Sequence, residues 1–222
     1  MSESHSPCRV VVLISGSGSN LQALIDRQQD NSLGVEIVGV ISNRPKVRGL
    51  ERADEAGIAT AVLDHKQFDN RNDFDAALVK HIDSYRPDLL VLAGFMRILT
   101  PEFVQHYQGR MLNIHPSLLP KYQGLHTHQR ALEAGDAIHG VTVHFVTEEL
   151  DGGPPVIQAI VSIDAADDED SLAKKVQQQE HAIYPMAVSW FAEKRLRISN
   201  NNVLLDGEPL PKNGYQVDSR HS

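Results

Sequence analysis

Residues 9–14, Arg-Val-Val-Val-Leu-Ile, form a β-branched run that is apolar on both faces, which predicts a buried strand. Residues 15–20, Ser-Gly-Ser-Gly-Ser-Asn, break the run. Leu21, Leu24 and Ile25 then recur at helical spacing, with Asn20 or Ser19 as the expected cap. The alternation continues with a strand over 36–42, a helix over about 50–56, a strand over 60–63 and a helix over about 72–85 that Pro87 stops. An apolar strand over 89–93 ends in Gly94, a short helix follows Pro101, and a strand over 110–115 closes this set. Such alternation predicts an α/β fold with a mostly parallel, doubly wound sheet and helices on both faces.

Beyond a loop over 116–125 the pattern changes. A helix is expected over 128–134, then two strands over 140–145 and 155–163 that can pair antiparallel. The acidic stretch 164–170 reads as a solvated turn, with Ser171 capping a long helix to about Phe191. Strands over 196–199 and 203–205, joined through 200–202, predict a hairpin, so antiparallel strands gather in the C-terminal part. With no internal repeat or interdomain linker, the expected organisation is a disordered leader over 1–8, one domain over 9–210 and a polar, flexible tail over 211–222. The start methionine and this tail read as those of a complete chain.

Composition narrows the partners more than the fold. The 222 residues are 41% hydrophobic and 23% charged, ordinary for a globular chain with one core. A net charge of -8, from 29 acidic and 21 basic side chains, argues against a nucleic-acid partner. Any phosphate must be held by local geometry. The single cysteine, Cys8, excludes a disulfide framework and a thiolate metal site. Residues 1–7 lack the plan of a signal peptide and no apolar run reaches the ~18 residues of a membrane span, so a cytoplasmic protein with no membrane partner is expected.

Three features carry candidate chemistry. Asn113 and His115 lie two apart in a strand that Pro116 ends, so they share a face, and an amide beside an imidazole suits proton transfer around a carbonyl. Asp151, in Leu-Asp-Gly-Gly, is either an Asx-turn residue or the carboxylate that would favour the imidazolium of His115. The loop from Gly16 to Leu21 lacks the third glycine of a dinucleotide fingerprint and the lysine of a P-loop. Backbone N–H groups and small hydroxyls at a helix start then suit a terminal phosphate, unless the glycines only permit a turn. His126 and His128 form a weak metal pair with no clear third ligand, and no G-x-S-x-G serine supports an acyl-enzyme, so no metal and direct transfer or hydrolysis are expected.

The segments VVLISGSGSNLQALI, LVLAGFMRILTP, MLNIHPSLLPKYQGLHTH, HFVTEELDGGP and QEHAIYP together resemble the phosphoribosylglycinamide formyltransferases, folate-dependent enzymes of purine synthesis, from about Val10 to Leu210. HPSLLP alone is also similar to methionyl-tRNA formyltransferases and formyltetrahydrofolate deformylases; the serine-rich glycine loop separates them. The resemblance implies a Rossmann-like formyltransferase fold. It also implies that Gly18, Ser19 and Asn20 hold the ribonucleotide phosphate, with Gly16 and Ser17 shaping the loop, and that Glu180 contacts the ribose.

Arg71, Met96, Arg97, Ile98, Leu99, Asn113, Thr147 and Asp151 match the family's folate pocket. Without the resemblance, Glu180 would be a solvated helix residue, Arg71 a surface arginine, and Met96, Ile98 and Leu99 core. The implied reaction moves a formyl group from 10-formyltetrahydrofolate, a cosubstrate, to the amine of glycinamide ribonucleotide through a tetrahedral intermediate, with Asn113, His115 and Asp151 catalytic. A formyltetrahydrofolate hydrolase of the same fold and a non-catalytic phosphosugar-binding module are the alternatives. The partners are small molecules, the assembly a monomer or homodimer, and the loop over 116–128 a mobile cover.

Overall fold

The computed structural model describes residues 6–220. Strand β1 (Cys8–Ile14) is buried throughout its apolar run and leads through the glycine loop into α1 (Ser19–Gln29). The chain continues as β2 (Val35–Ser42), α2 (Arg48–Glu55), β3 (Thr60–Val62), α3 (Arg71–Ser84), β4 (Leu89–Leu92), α4 (Pro101–His106) and β5 (Met111–His115). Then follow α5 (Thr127–Glu133), β6 (Ile138–Phe145), β7 (Pro155–Ser162) and the long α6 (Glu169–Ala192). Strands β8 (Leu196–Ser199), β9 (Asn202–Leu205), β10 (Glu208–Pro209) and β11 (Tyr215–Asp218) end the molecule.

The main sheet has eight strands in the order β11-β7-β6-β5-β4-β1-β2-β3. From β5 through β4, β1 and β2 to β3 the pairing is parallel, whereas β6 runs antiparallel to both β5 and β7. Because successive strand residues face opposite ways, Val10, Val12 and Ile14 enter one core, which α1, α2 and α6 cover, and Val11 and Leu13 enter the other, under α3 and α4. Truncating one such side chain, as in Leu13→Ala, removes about 2–5 kcal/mol.

Four details depart from the sequence reading. Helix α1 is capped by Gly18 in the left-handed region (φ 70), not by Asn20 or Ser19, and no side chain accepts from its first turn. Helix α6 is capped by Asp168: its carboxylate accepts the Ser171 N–H at 2.8 Å, while Ser171 Oγ accepts the Asp168 N–H at 3.0 Å, so Ser171 is the third residue of a capping box. Within the tail expected over 211–222, Tyr215–Asp218 form β11, which pairs parallel with β7. Cys8 already belongs to β1, and the leader expected before it falls mainly on residues outside those described. The 8–9–10 hairpin makes a separate antiparallel sheet of three strands.

Candidate active site

Open α/β sheets bind ligands beyond the carboxyl ends of their parallel strands, and the sequence-predicted residues gather there. The register places Asn113 opposite His144 and His115 opposite Thr142 on β6. His144 is fully enclosed; its Nδ1–H donates to the Phe145 carbonyl at 2.9 Å, which leaves Nε2 to accept from Asn113 Nδ2 at 3.4 Å. Burial pushes the His144 imidazole below its ordinary pKa and keeps it neutral, in the form that accepts. The Asn113 amide is thereby fixed with its second N–H free to point at a ligand.

His115 is buried, and its Nε2–H donates to the Tyr122 carbonyl at 2.7 Å. Its Nδ1 lies 3.5 Å from Asp151 Oδ2. Both ring nitrogens thus face oxygen acceptors. Asp151 sits at φ 50, a conformation aspartate tolerates better than most residues, and its Oδ2 also accepts the Gly124 N–H at 3.0 Å. The Asx-turn reading therefore gives way: the carboxylate is turned inward toward His115.

At the other side of the site, a Cβ on Gly18 would lie 2.6 Å from the Gly49 Cα, so glycine is required there for packing as well as for φ. The first-turn N–H groups of α1 are left without side-chain acceptors, and Asn20 Nδ2 donates to Glu180 Oε2 at 2.8 Å. Glu180 is thus no solvated helix residue. Burial raises its pKa, against the lowering effect of the Asn20 hydrogen bond. Ser19 Oγ accepts from Gln177 Nε2 at 3.2 Å, so α6 braces the loop twice.

The residues matched to folate are brought together less tightly. Met96 and Ile98 are 57% and 53% exposed, not core, while Leu99 packs against the core under α3 and α4. Arg97 lies over the Phe74 ring at 5.2 Å, with its Nε buried and unpartnered. Arg71 is exposed, one turn before Phe74. Thr147 and Asp151 line a cavity of ≈ 760 Å³ that extends to Val104, Leu119 and the 210–213 segment; Met96, Arg97, Ile98 and Leu99 do not line it.

The loop expected to be a mobile cover is pinned through its first half. Ser117 Oγ donates to the Lys121 carbonyl at 2.6 Å, Gln158 Nε2 to the Leu119 carbonyl at 2.9 Å, and Tyr122 Oη to Asp136 at 2.6 Å. Leu125 beyond it is 63% exposed. The sequence reading also missed Ser15, Asn43, Tyr122 and His144. For His144 a signal existed: Thr142 and His144 alternate with valines in an otherwise apolar strand. His128 Nδ1 meets His139 Nε2 at 3.1 Å, and among the described residues no group of three or more His, Cys, Asp or Glu could hold a metal ion.

An amide donor and an imidazole–carboxylate pair face the end of a parallel sheet, beside a helix N-terminus with open N–H groups. Such a site is equipped for acyl-type transfer. The chain belongs to the formyl transferase family, whose model matches residues 8–188. It is 57% identical to the phosphoribosylglycinamide formyltransferase of Escherichia coli (strain K12), over 94% of this chain and 99% of that protein. The Haemophilus influenzae enzyme of the same name is 50% identical over 93% and 98%. A solved phosphoribosylglycinamide formyltransferase from Coxiella burnetii superposes with a TM-score of 0.92 at 54% identity, covering 96% of this chain and all of that one. The Rossmann-like fold and the formyltransferase assignment expected from the sequence are both met.

Proposed function

We propose that this chain transfers the formyl group of 10-formyltetrahydrofolate to the amino group of glycinamide ribonucleotide. The observation that supports the reading is the grouping of Asn113, His115 and Asp151 at the carboxyl end of β5, the same end of the sheet from which β1 leads into Gly18–Asn20, the proposed phosphate cradle. The segment matched to the donor suits a flat ligand with an apolar stem, because exposed Met96 and Ile98 offer packing surface. Exposed Arg71 suits a carboxylate at the ligand's far end.

The amine nitrogen attacks the formyl carbon, forming a C–N bond and an oxyanion. Asn113 Nδ2–H donates to that oxygen, a contact worth about 3 kcal/mol of barrier when fixed in advance. His115, oriented by the Tyr122 carbonyl and faced by Asp151, takes part in moving the proton the amine loses toward the folate nitrogen as the old C–N bond breaks. Glu180 and Asn20 orient the ribose and phosphate. The products are formylated ribonucleotide and tetrahydrofolate, with no covalent enzyme species.

The hydrolase alternative finds no support, because the relatives that match nearly the whole chain are formyltransferases. The test is folate product formation with and without glycinamide ribonucleotide. Product is expected only with the ribonucleotide, and Asn113→Ala, His115→Ala and Asp151→Ala are each expected to lose at least about 100-fold in kcat. Near wild-type transfer in all three folded variants refutes the assignment, and folate turnover without ribonucleotide at the same rate favours hydrolysis.

A further inference from the structure

Ser15 is the residue between β1 and the glycine loop, 2% exposed, and its hydroxyl both donates and accepts. Its Oγ–H donates to Asn43 Oδ1 at 2.5 Å, and its Oγ accepts the Met96 N–H at 2.8 Å. Asn43, 1% exposed at the end of β2, is held in turn against His65, whose Nδ1 lies 3.1 Å from both the Asn43 amide nitrogen and its carbonyl. One hydroxyl therefore ties together the carboxyl ends of β1, β2 and β4. Two of the segments it joins are substrate elements: Ser15 leads directly into the phosphate cradle, and Met96, 81 residues away in sequence, opens the segment matched to folate.

The far end of that segment is fixed in the same way. Asp75, 3% exposed on α3, accepts the Thr100 N–H at 2.7 Å. Residues 96–100 thus hang between two buried side-chain acceptors, one rooted in α3 and the other in the phosphate cradle's own root. A serine with one proton can donate to Asn43 in only one rotamer, and that rotamer decides where the Met96 N–H is held.

We propose that Ser15 and Asn43 are positioning residues that couple the two substrate sites. Phosphate drawn into the cradle shifts the 15–20 backbone, Ser15 Oγ moves with it, and the Met96 N–H it holds follows, so that residues 96–99 are placed for the formyl donor; the donor acts on the cradle by the same path in reverse. Linkage requires the two effects to be equal. This inference rests on the substrates assigned above.

The test is binding to the whole chain, by calorimetry, of glycinamide ribonucleotide with and without a saturating folate analogue that carries no formyl group, and the converse titration. In the wild type each ligand is expected to tighten the other by the same factor, about 5-fold or more. Ser15→Ala and Asn43→Ala are expected to bring that factor close to 1. Asn43→Asp, which keeps the acceptor oxygen, is expected to retain it. If Ser15→Ala does not fold, Asn43→Ala decides by the same ratio.

A wild-type factor of 1 overturns the proposal, and so does a variant that weakens both ligands in proportion while the factor persists, the mark of a purely structural role. Formyl transfer by a wild type that shows no coupling removes this inference alone. Absence of transfer removes the substrate assignment itself.

Discussion

Replacing Gly153 by alanine tests how closely the carboxylate of Asp151, proposed above as catalytic, depends on a single close approach of backbone. Gly153 is buried and its φ lies outside the left-handed region, so alanine meets no conformational obstacle and only space matters. A Cβ there would lie 1.8 Å from the Phe145 carbonyl oxygen. Carbon and oxygen settle at about 3.3 Å, so roughly 1.5 Å must be opened. Phe145 cannot supply it: it is buried in β6, its carbonyl accepts from His144 and its N–H donates to Pro154. The 147–153 loop must retreat instead, and Asp151, two residues earlier, is carried away from a His115 contact that is already 3.5 Å long.

Overpacking of this kind costs about 1–3 kcal/mol of stability, while a misplacement of about 1 Å at the chemistry costs about 100-fold in rate. Initial rates of folate product formation, run beside a thermal melt, are expected to show kcat reduced by about 100-fold with the KM for ribonucleotide within about 2-fold, since the cradle lies on the other side of the site. A folded Gly153→Ala enzyme with kcat within about 3-fold of wild type would refute the reasoning.

Other outcomes follow from single contacts. Glu180→Ala removes the partner of Asn20, and steady-state kinetics should show the ribonucleotide KM raised about 10-fold or more with the folate KM unmoved. Tyr184→Phe strips a hydroxyl that donates to the Leu92 and Leu112 carbonyls at 2.6 and 3.1 Å; urea unfolding should show a loss of about 1–3 kcal/mol. Asp168→Ala unmakes the capping box of α6 and should cost about 0.5–2 kcal/mol in the same assay.

Burial, reinforced by neighbouring His128, lowers the His139 pKa to about 4, against the attraction of Asp136. The unfolded chain, with its histidine near 6.5, then takes up the proton first, so this contribution to stability is complete above about pH 6.5 and is lost as pH falls toward 4. His139→Gln should flatten the stability profile across that window, which melts at stepped pH would reveal.

The strands and helices that bury continuous apolar faces were legible because their periodicity is set by burial itself. β1, β4 and α1 are the clear cases. β11 was not legible: Tyr-Gln-Val-Asp at a sheet edge is held by ladder hydrogen bonds to β7, and its side chains carry little pattern. Asn113 and His115 could be placed on one strand face from alternation alone. Their fixation could not, because His144, Tyr122 and Asp151 reach them from segments 7 to 36 residues away in sequence. Ser15 and Asn43 read as ordinary loop formers until the sheet brings three strand ends together.

The placement of β11 also sets an order of events during synthesis. Its partner β7 leaves the ribosome well before it, separated by the whole of α6 and the three-stranded sheet. At roughly 5–20 residues per second, the nascent chain spends several seconds with the β7 edge open. An unpaired edge is a template for pairing with other chains. Conditions that slow elongation through the 163–214 stretch are therefore expected to aggregate this protein more than equal slowing before β7, even though the finished molecule is the same.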